Sequence, residues 1–272
     1  MTKTIIIGKS SNLSQRLSKC LRKSVLISSR DIASGLEAIK PYISKPVNIV
    51  FNNFQPAVQL SNLDAPADYI NNAIFTTAKL LGALKHAMVN KVIYTSSSSV
   101  YGDNDSCKES DQVMPSNLHA ALKFANEQLV GQFCQKNAID YTVTRVFNMY
   151  GGDDKFSIVS KVLKAFKQAQ ALNIFNNGAA IRDFIHIDDV VTAYSRVLET
   201  KNVNILNIGT GQGIAIKALL DIASYHDQDF KINNVTRKEI DKSVSDNTLF
   251  RKIIGEIKYL NIRDFLSKEL VA

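Results

Sequence analysis

The chain has 272 residues, 45% of them hydrophobic and 21% charged, with a formal net charge of +8. This composition carries enough apolar material for one large domain or a domain plus a lobe, and no apolar run approaches the roughly 20 residues that span a bilayer. Cys20, Cys107 and Cys134 are odd in number, widely spaced and without a CxxC pair, which argues against a disulfide frame or metal site and for reduced thiols in a cytoplasmic protein.

In chain order, "TIIIG" (Thr4–Gly8) reads as a strand, entered too early and too short for a signal-peptide core. Leu13, Leu17, Cys20 and Leu21 then share one helical face. "SVLIS", "VNIVF" and "KVIYTS" read as further buried strands, with a helix over Ala73–Met88, another over His119–Asn137, and the strand "YTVTRVF" after it. Apolar strands that do not alternate, separated by helices, predict an α/β protein with a doubly wound parallel sheet covered on both faces. After about residue 150 come a helix near Ser157–Gln170, short strands and the Gly-rich "NIGTGQG", with no repeat and no linker. The expected organisation is a parallel-sheet domain over 1–150 and a smaller α/β lobe over 151–272, built on the first and interleaved with it. Basic residues are scattered through helical patterns such as "RLSKCLRK" and "KVLKAFKQ" without interleaved aromatics, so nucleic acid is not an expected partner. A small anionic ligand needs only one or two of them.

In a parallel sheet, ligands bind at the carboxyl ends of the strands, beside helix N-termini that attract phosphate. The first strand ends at Gly8, and "GKSSNLSQRL" turns into a helix opened by Asn12 and Leu13. A dinucleotide-binding loop spaces glycines through this turn; here Ser11 and Ser14 stand where two of them would be. Serine is small and its hydroxyl can donate to a phosphate. About 20 residues on, a carboxylate would favour NAD and an arginine a 2′-phosphate. "VLISSRD" offers Ser28, Ser29 and Arg30, with Lys9 in the loop nearby, so NADP(H) is the expected cofactor, and Asp31 leaves NAD(H) open.

"LHAALKFANEQL" (Leu118–Leu129) puts His119 and Lys123 on one helix face, one turn apart. With "TSSSSVYG" (Thr95–Gly102), "FNMYGG" and "IRDFIHIDDVV", which follow in order over nearly the whole chain, the sequence resembles the extended short-chain dehydrogenase/reductase family. That family contains nucleotide-sugar epimerases, dehydratases and ketoreductases. The resemblance implies a Rossmann domain holding NAD(P), a lobe holding a nucleoside-diphosphate sugar, and homodimers paired through the long helices. It assigns Asn72 a structural role. Ser97, four residues before Tyr101, is implied to bond the sugar oxygen that gains or loses hydride. Asn148 is implied to contact the substrate diphosphate, with Arg182 as the diphosphate arginine and Arg237 as a second phosphate contact. Where the family's dehydratases carry an acidic pair, this chain has Ser98 and Ser99.

The family's catalytic pair is Tyr-x-x-x-Lys. The resemblance implies that the lysine binds the cofactor by holding the nicotinamide ribose and lowers the tyrosine's pKa, while the tyrosine shuttles the proton as hydride moves. Aligned on Lys123, and supported by Glu127, the tyrosine position holds His119. Three readings follow. His119 replaces tyrosine as acid/base; or the acid is another group, such as Ser97 with water or Tyr101; or the fold is kept for binding and catalysis is lost. Asp189 in "IDDVV" reads as a helix-start residue and His186 as a packed histidine. The missing acidic pair, the compact lobe and the NADP signal point to a 4-ketoreductase, with a 4-epimerase as the alternative.

Overall fold

The computed structural model describes residues 2–52 and 66–272. Strands, in chain order, are β1 (Lys3–Ile7), β2 (Ser24–Ile27), β3 (Val47–Phe51), β4 (Val89–Ser97), β5 (Asn104–Cys107), β6 (Asp140–Val146), β7 (Asn148–Tyr150), β8 (Leu172–Phe175), β9 (Ile181–His186), β10 (Ile205–Ile208), β11 (Gly213–Ala215), β12 (Ile232–Val235) and β13 (Lys242–Ser245). Helices are α1 (Asn12–Cys20), α2 (Ser29–Ser34), α3 (Pro66–Ile70), α4 (Thr76–Leu84), α5 (Leu118–Lys136), α6 (Ile158–Lys167), α7 (Ile187–Val197), α8 (Ile216–His226), α9 (Thr248–Ile254) and α10 (Ile262–Val271).

Six strands form one parallel sheet in the order β10-β6-β4-β3-β1-β2. Its strands are apolar at consecutive positions because both faces are covered. Ile5, Ile7, Ile49, Phe51, Val92 and Tyr94 pack on one side with Leu80, Leu84 and Val130 from α4 and α5. Ile6, Val50 and Ile93, the residues between them, pack on the other side with Leu13 and Leu17 of α1 and Val190 and Tyr194 of α7. The period of two that sorts neighbouring residues to opposite faces thus builds two cores from one sequence run. Strand β10 and helix α7 come from beyond residue 150 and complete this sheet and its cover.

A second sheet, β11-β9-β13-β5 with β7 paired to β9, stands beyond the carboxyl ends of the first. Its core joins Tyr150, Val159, Phe184, Leu219 and Leu266. The expected helix over 73–88 starts earlier and ends at Leu84, and between α3 and α4 runs a π turn over Asn71–Phe75, closed by Thr76 N–H reaching back to the Asn71 carbonyl. Cysteines 20, 107 and 134 are free thiols. Among the described residues no helix is long and apolar enough to cross a membrane.

Candidate active site

Strand β4 delivers Ser97 to the carboxyl edge of the sheet, where the chain tightens into a 3₁₀ turn over Ser98–Tyr101. The Ser97 hydroxyl caps that turn by accepting the Ser99 N–H at 3.2 Å, and its own proton remains available to a ligand. Beside it runs α5, capped by Asn117, whose side chain accepts the Ala120 N–H at 2.9 Å. The helix presents His119, Lys123, Asn126 and Glu127 towards the sheet at helical spacing.

Lys123 is 8% exposed, and its ammonium donates to the Thr95 carbonyl at 2.9 Å, on the strand that carries Ser97. It also lies 5.3 Å from the Tyr94 ring centroid, a cation–π contact. Burial pulls its pKa down to about 8, against the upward pull of the Glu127 carboxylate. His119 is half-buried, and burial together with the Lys123 charge lowers its pKa to about 4. At neutral pH the imidazole is therefore uncharged, able to give or take a hydrogen bond, while Lys123 is the group whose proton is poised near neutrality. His119, Lys123, Tyr69, Tyr94 and Asn126 together line a small cavity with about 10 Å³ open to water, room for one molecule.

Tyr101 cannot serve as an alternative acid. It is 1% exposed, its hydroxyl donates to Asn207 Oδ1 at 2.7 Å, and burial raises its pKa well above the usual phenol range. Its place is structural, under the guanidinium of Arg145, which sits 4.7 Å from its ring centroid. Arg145 in turn forms a fork with Glu127, the nearest contact at 2.7 Å and both side chains 3% exposed, and Glu127 also accepts the Ser96 hydroxyl. Helix α5 and the end of β4 are thus locked together one residue before Ser97.

At the other side of the sheet edge, Gly8 turns the chain with φ of +104°, a value that favours glycine. Ser11 caps α1, accepting the Ser14 N–H, and its hydroxyl also accepts from Asn52 Nδ2 at 2.8 Å. Ser14 is fully buried and accepts from the same Asn52 nitrogen at 3.0 Å. The serines do the work of small residues: they let α1 approach the sheet closely, and Asn52 ties them to the end of β3. A helix N-terminus, a left-handed glycine and a spare hydroxyl proton fit a dinucleotide phosphate. Leu13 points into the core, whereas Lys9 is exposed. The Asn12 side chain is committed elsewhere: it donates to the Gly151 carbonyl at 2.9 Å and accepts the Asp153 N–H at 3.1 Å, so only its backbone faces the loop. Ser28 caps α2 by accepting the Arg30 N–H at 3.2 Å, and Arg30 projects to solvent from the first turn.

In the second sheet, Asn148 donates to the Asp183 carbonyl at 3.1 Å. Asp183, fully buried, accepts from Thr210, Gly211 and Ser245, which explains the Gly-rich "NIGTGQG" as a loop wrapped around one carboxylate. Arg182 is held by the carbonyls of Ile181 at 2.9 Å and Ile240 at 2.6 Å and by Glu239 Oε2 at 3.4 Å. Arg237 is exposed and stacks 5.0 Å over the Phe175 ring. His186 is packed between Tyr150 and Phe265 and caps α7, accepting the Asp188 N–H at 3.2 Å. Asp189, in the first turn of α7, accepts the Leu260 N–H at 3.0 Å and anchors the C-terminal segment. Among the described residues no group of His, Cys, Asp and Glu could hold a metal ion.

Sequence reasoning missed Tyr69, Asn126 and Glu239. Asn126 lies one turn beyond Lys123 on the same face and helical spacing could have found it; Tyr69 arrives from α3 with no local signal.

The NAD dependent epimerase/dehydratase family matches residues 19–209, more than two thirds of the chain. Protein CapI of Staphylococcus aureus is 32% identical over 165 residues, 59% of this chain, and the match spans about half (49%) of CapI. A UDP-glucose 4-epimerase of Rhizobium leguminosarum bv. trifolii is 25% identical over 227 residues, 74% of this chain and 69% of that protein. The solved structure of MoeE5 in complex with UDP-glucuronic acid and NAD superposes with a TM-score of 0.85 at 20% identity, covering 99% of this chain and 98% of that one, which establishes the fold. The parallel sheet is therefore a Rossmann sheet, and the chain belongs to the NAD dependent epimerase/dehydratase family.

Proposed function

We propose that this protein carries out NAD(P)-dependent oxidation–reduction at a carbon of a nucleoside-diphosphate sugar, most directly the reduction of a 4-keto nucleotide sugar. The observation that carries the reading is the meeting of β4 and α5: Ser97 at the sheet edge, and the Lys123 ammonium bonded to Thr95 two residues before it. A bound nicotinamide supplies or accepts the hydride. The chain's own groups then handle the sugar oxygen and its proton. Ser97 donates its hydroxyl to the ketone oxygen and polarises it. As the oxygen gains negative charge, a proton reaches it through Ser97 or through a water for which the cavity beside Lys123 has room, with Lys123 as the source, because its pKa of about 8 matches neutral chemistry. His119, neutral at that pH, acts as a hydrogen-bonding partner of the water rather than as a charged acid. Asn148, Arg182 and Arg237 are the proposed contacts to the diphosphate, and a preference for NADP(H) rests on Arg30 in the first turn of α2, just after β2.

Dehydration is disfavoured because Ser98 and Ser99 lack a carboxylate. A second reading, a 4-epimerase that recycles its cofactor, is favoured by the names of relatives such as the Rhizobium enzyme. The two separate in one experiment. With 4-keto nucleotide sugars and NADPH, a reductase consumes cofactor in proportion to product. An epimerase interconverts UDP-hexoses with catalytic cofactor and no net oxidation. Absence of both reactions, with UDP still bound, would overturn the enzymatic reading.

A further inference from the structure

Arg182 does not stand free at the site proposed for the diphosphate. Its Nη2 is shared between the Ile240 carbonyl at 2.6 Å and the Glu239 carboxylate at 3.4 Å, with the paired side chains only 15% and 17% exposed. Glu239 is itself oriented by Asn176, whose Nδ2 donates to Oε1 at 3.1 Å and to the Arg237 carbonyl at 2.6 Å. The Arg237 N–H returns a bond to Asn176 Oδ1 at 3.1 Å. One carboxylate is thus held against the Arg182 guanidinium, and Asn176 ties it to the Arg237 backbone. The carboxylates of Asp103, directly after the Ser97–Gly102 turn, and of Asp241 also act on Arg182.

We infer that Glu239 is a built-in counter-ion of Arg182 that an incoming diphosphate must displace, and that it thereby sets the affinity for the nucleotide sugar. The inference rests on the proposed function, since it takes Arg182 as a diphosphate contact. Neutral carbonyls of Ile181 and Ile240 hold the guanidinium whether or not Glu239 is paired with it, so exchanging the carboxylate for phosphate oxygens does not dismantle the arginine's position. The 3.4 Å contact is long for a charge-assisted bond, which suits a partner that exchanges. A carboxylate left beside a bound diphosphate repels it, so the anion either swings Glu239 away or binds weakly. Residual attraction falls to what Arg237 supplies, and Arg237 is exposed and screened by salt.

The test is calorimetric titration of UDP and of inorganic pyrophosphate into the full chain as wild type, Glu239→Gln, Glu239→Ala, Arg182→Ala and the Arg182→Ala/Glu239→Gln double variant, with thermal unfolding to verify folding. Glu239→Gln keeps an oxygen for Asn176 and removes the charge. Expected are UDP and pyrophosphate binding tighter by about tenfold in Glu239→Gln, a similar gain in Glu239→Ala, and loss of that gain in the Arg182→Ala background. If UDP binds the wild type and weakens with Arg182→Ala, but Glu239→Gln binds equally or more weakly, the counter-ion role is overturned while the proposed function stands. If UDP binds neither the wild type nor Glu239→Gln, the proposed function falls and this inference with it.

Discussion

Two cations of this molecule, one buried and one half-buried, are handled in opposite ways. Lys123, at the sheet edge, rests on the neutral Thr95 carbonyl, while the nearest carboxylate, Glu127, is occupied by the Arg145 fork and the Ser96 hydroxyl. Arg182, in the second sheet, shares a nitrogen with a carboxylate of its own. A carbonyl orients an ammonium without cancelling its charge; a carboxylate cancels it. The difference teaches where the site keeps reactive charge and where it keeps charge in reserve: a titrating proton beside Ser97, and a paired guanidinium where an anion would be gripped.

The contrast breaks most sharply at Lys123. Lys123→Met removes the proton source and keeps the side-chain volume, so turnover of NADPH with a 4-keto nucleotide sugar is expected to fall about 10²–10⁴-fold, while UDP titrates as in wild type. Arg182→Ala is expected to do the reverse, weakening UDP more than it lowers kcat. If Lys123→Met weakens UDP and spares kcat, the division of labour is wrong.

The next largest effect is on stability. Arg145→Met leaves the Glu127 carboxylate buried without its fork, an expected loss of about 3–5 kcal/mol in urea unfolding. The Glu127→Gln/Arg145→Met pair is expected to regain much of that, because no lone charge remains. A loss below about 1 kcal/mol for Arg145→Met would mean that the fork does not hold α5 to β4.

The histidine gives a pH signature. Its folded pKa of about 4 lies below the ordinary value of 6.5, so between those values the unfolded chain binds more protons. Stability contributed by neutral His119 is present above pH 6.5 and is lost as pH falls towards 4, a slope worth about 3 kcal/mol in total. His119→Phe is expected to remove that slope from urea titrations at pH 4 to 7; an unchanged slope would place the effect elsewhere. Turnover is expected to decline instead above about pH 8, as Lys123 loses its proton. The smallest effect lies at the cofactor end: Arg30→Ala is expected to weaken NADPH about tenfold, one charge-assisted contact, and to leave NADH unchanged in fluorescence titration.

What the sequence made legible followed from period and order. The alternation of short apolar strands with helices fixed a parallel sheet because consecutive residues such as Ile5, Ile6 and Ile7 all had to be buried, on two faces. His119, Lys123 and Glu127 could be placed on one face because helical spacing is local. The serines of the first loop were legible as small residues, but not as acceptors of a single asparagine, since Asn52 lies a whole strand away in sequence. The lysine neighbour of His119 was legible from helical spacing, whereas the burial beside α3 and β4 that dominates the lowering of its pKa was not. The pairing of Arg182 with Glu239 was hidden for the same reason: β9 and the approach to β13 meet only in the folded sheet.

The most direct test of the account follows NADPH oxidation against a panel of 4-keto nucleoside-diphosphate sugars with wild type, Lys123→Met and His119→Ala. The account predicts cofactor consumed in proportion to reduced sugar by wild type, retained within about tenfold in His119→Ala, and lost in Lys123→Met. Full turnover by Lys123→Met, or loss in His119→Ala as deep as in Lys123→Met, would contradict the claim that the lysine carries the proton.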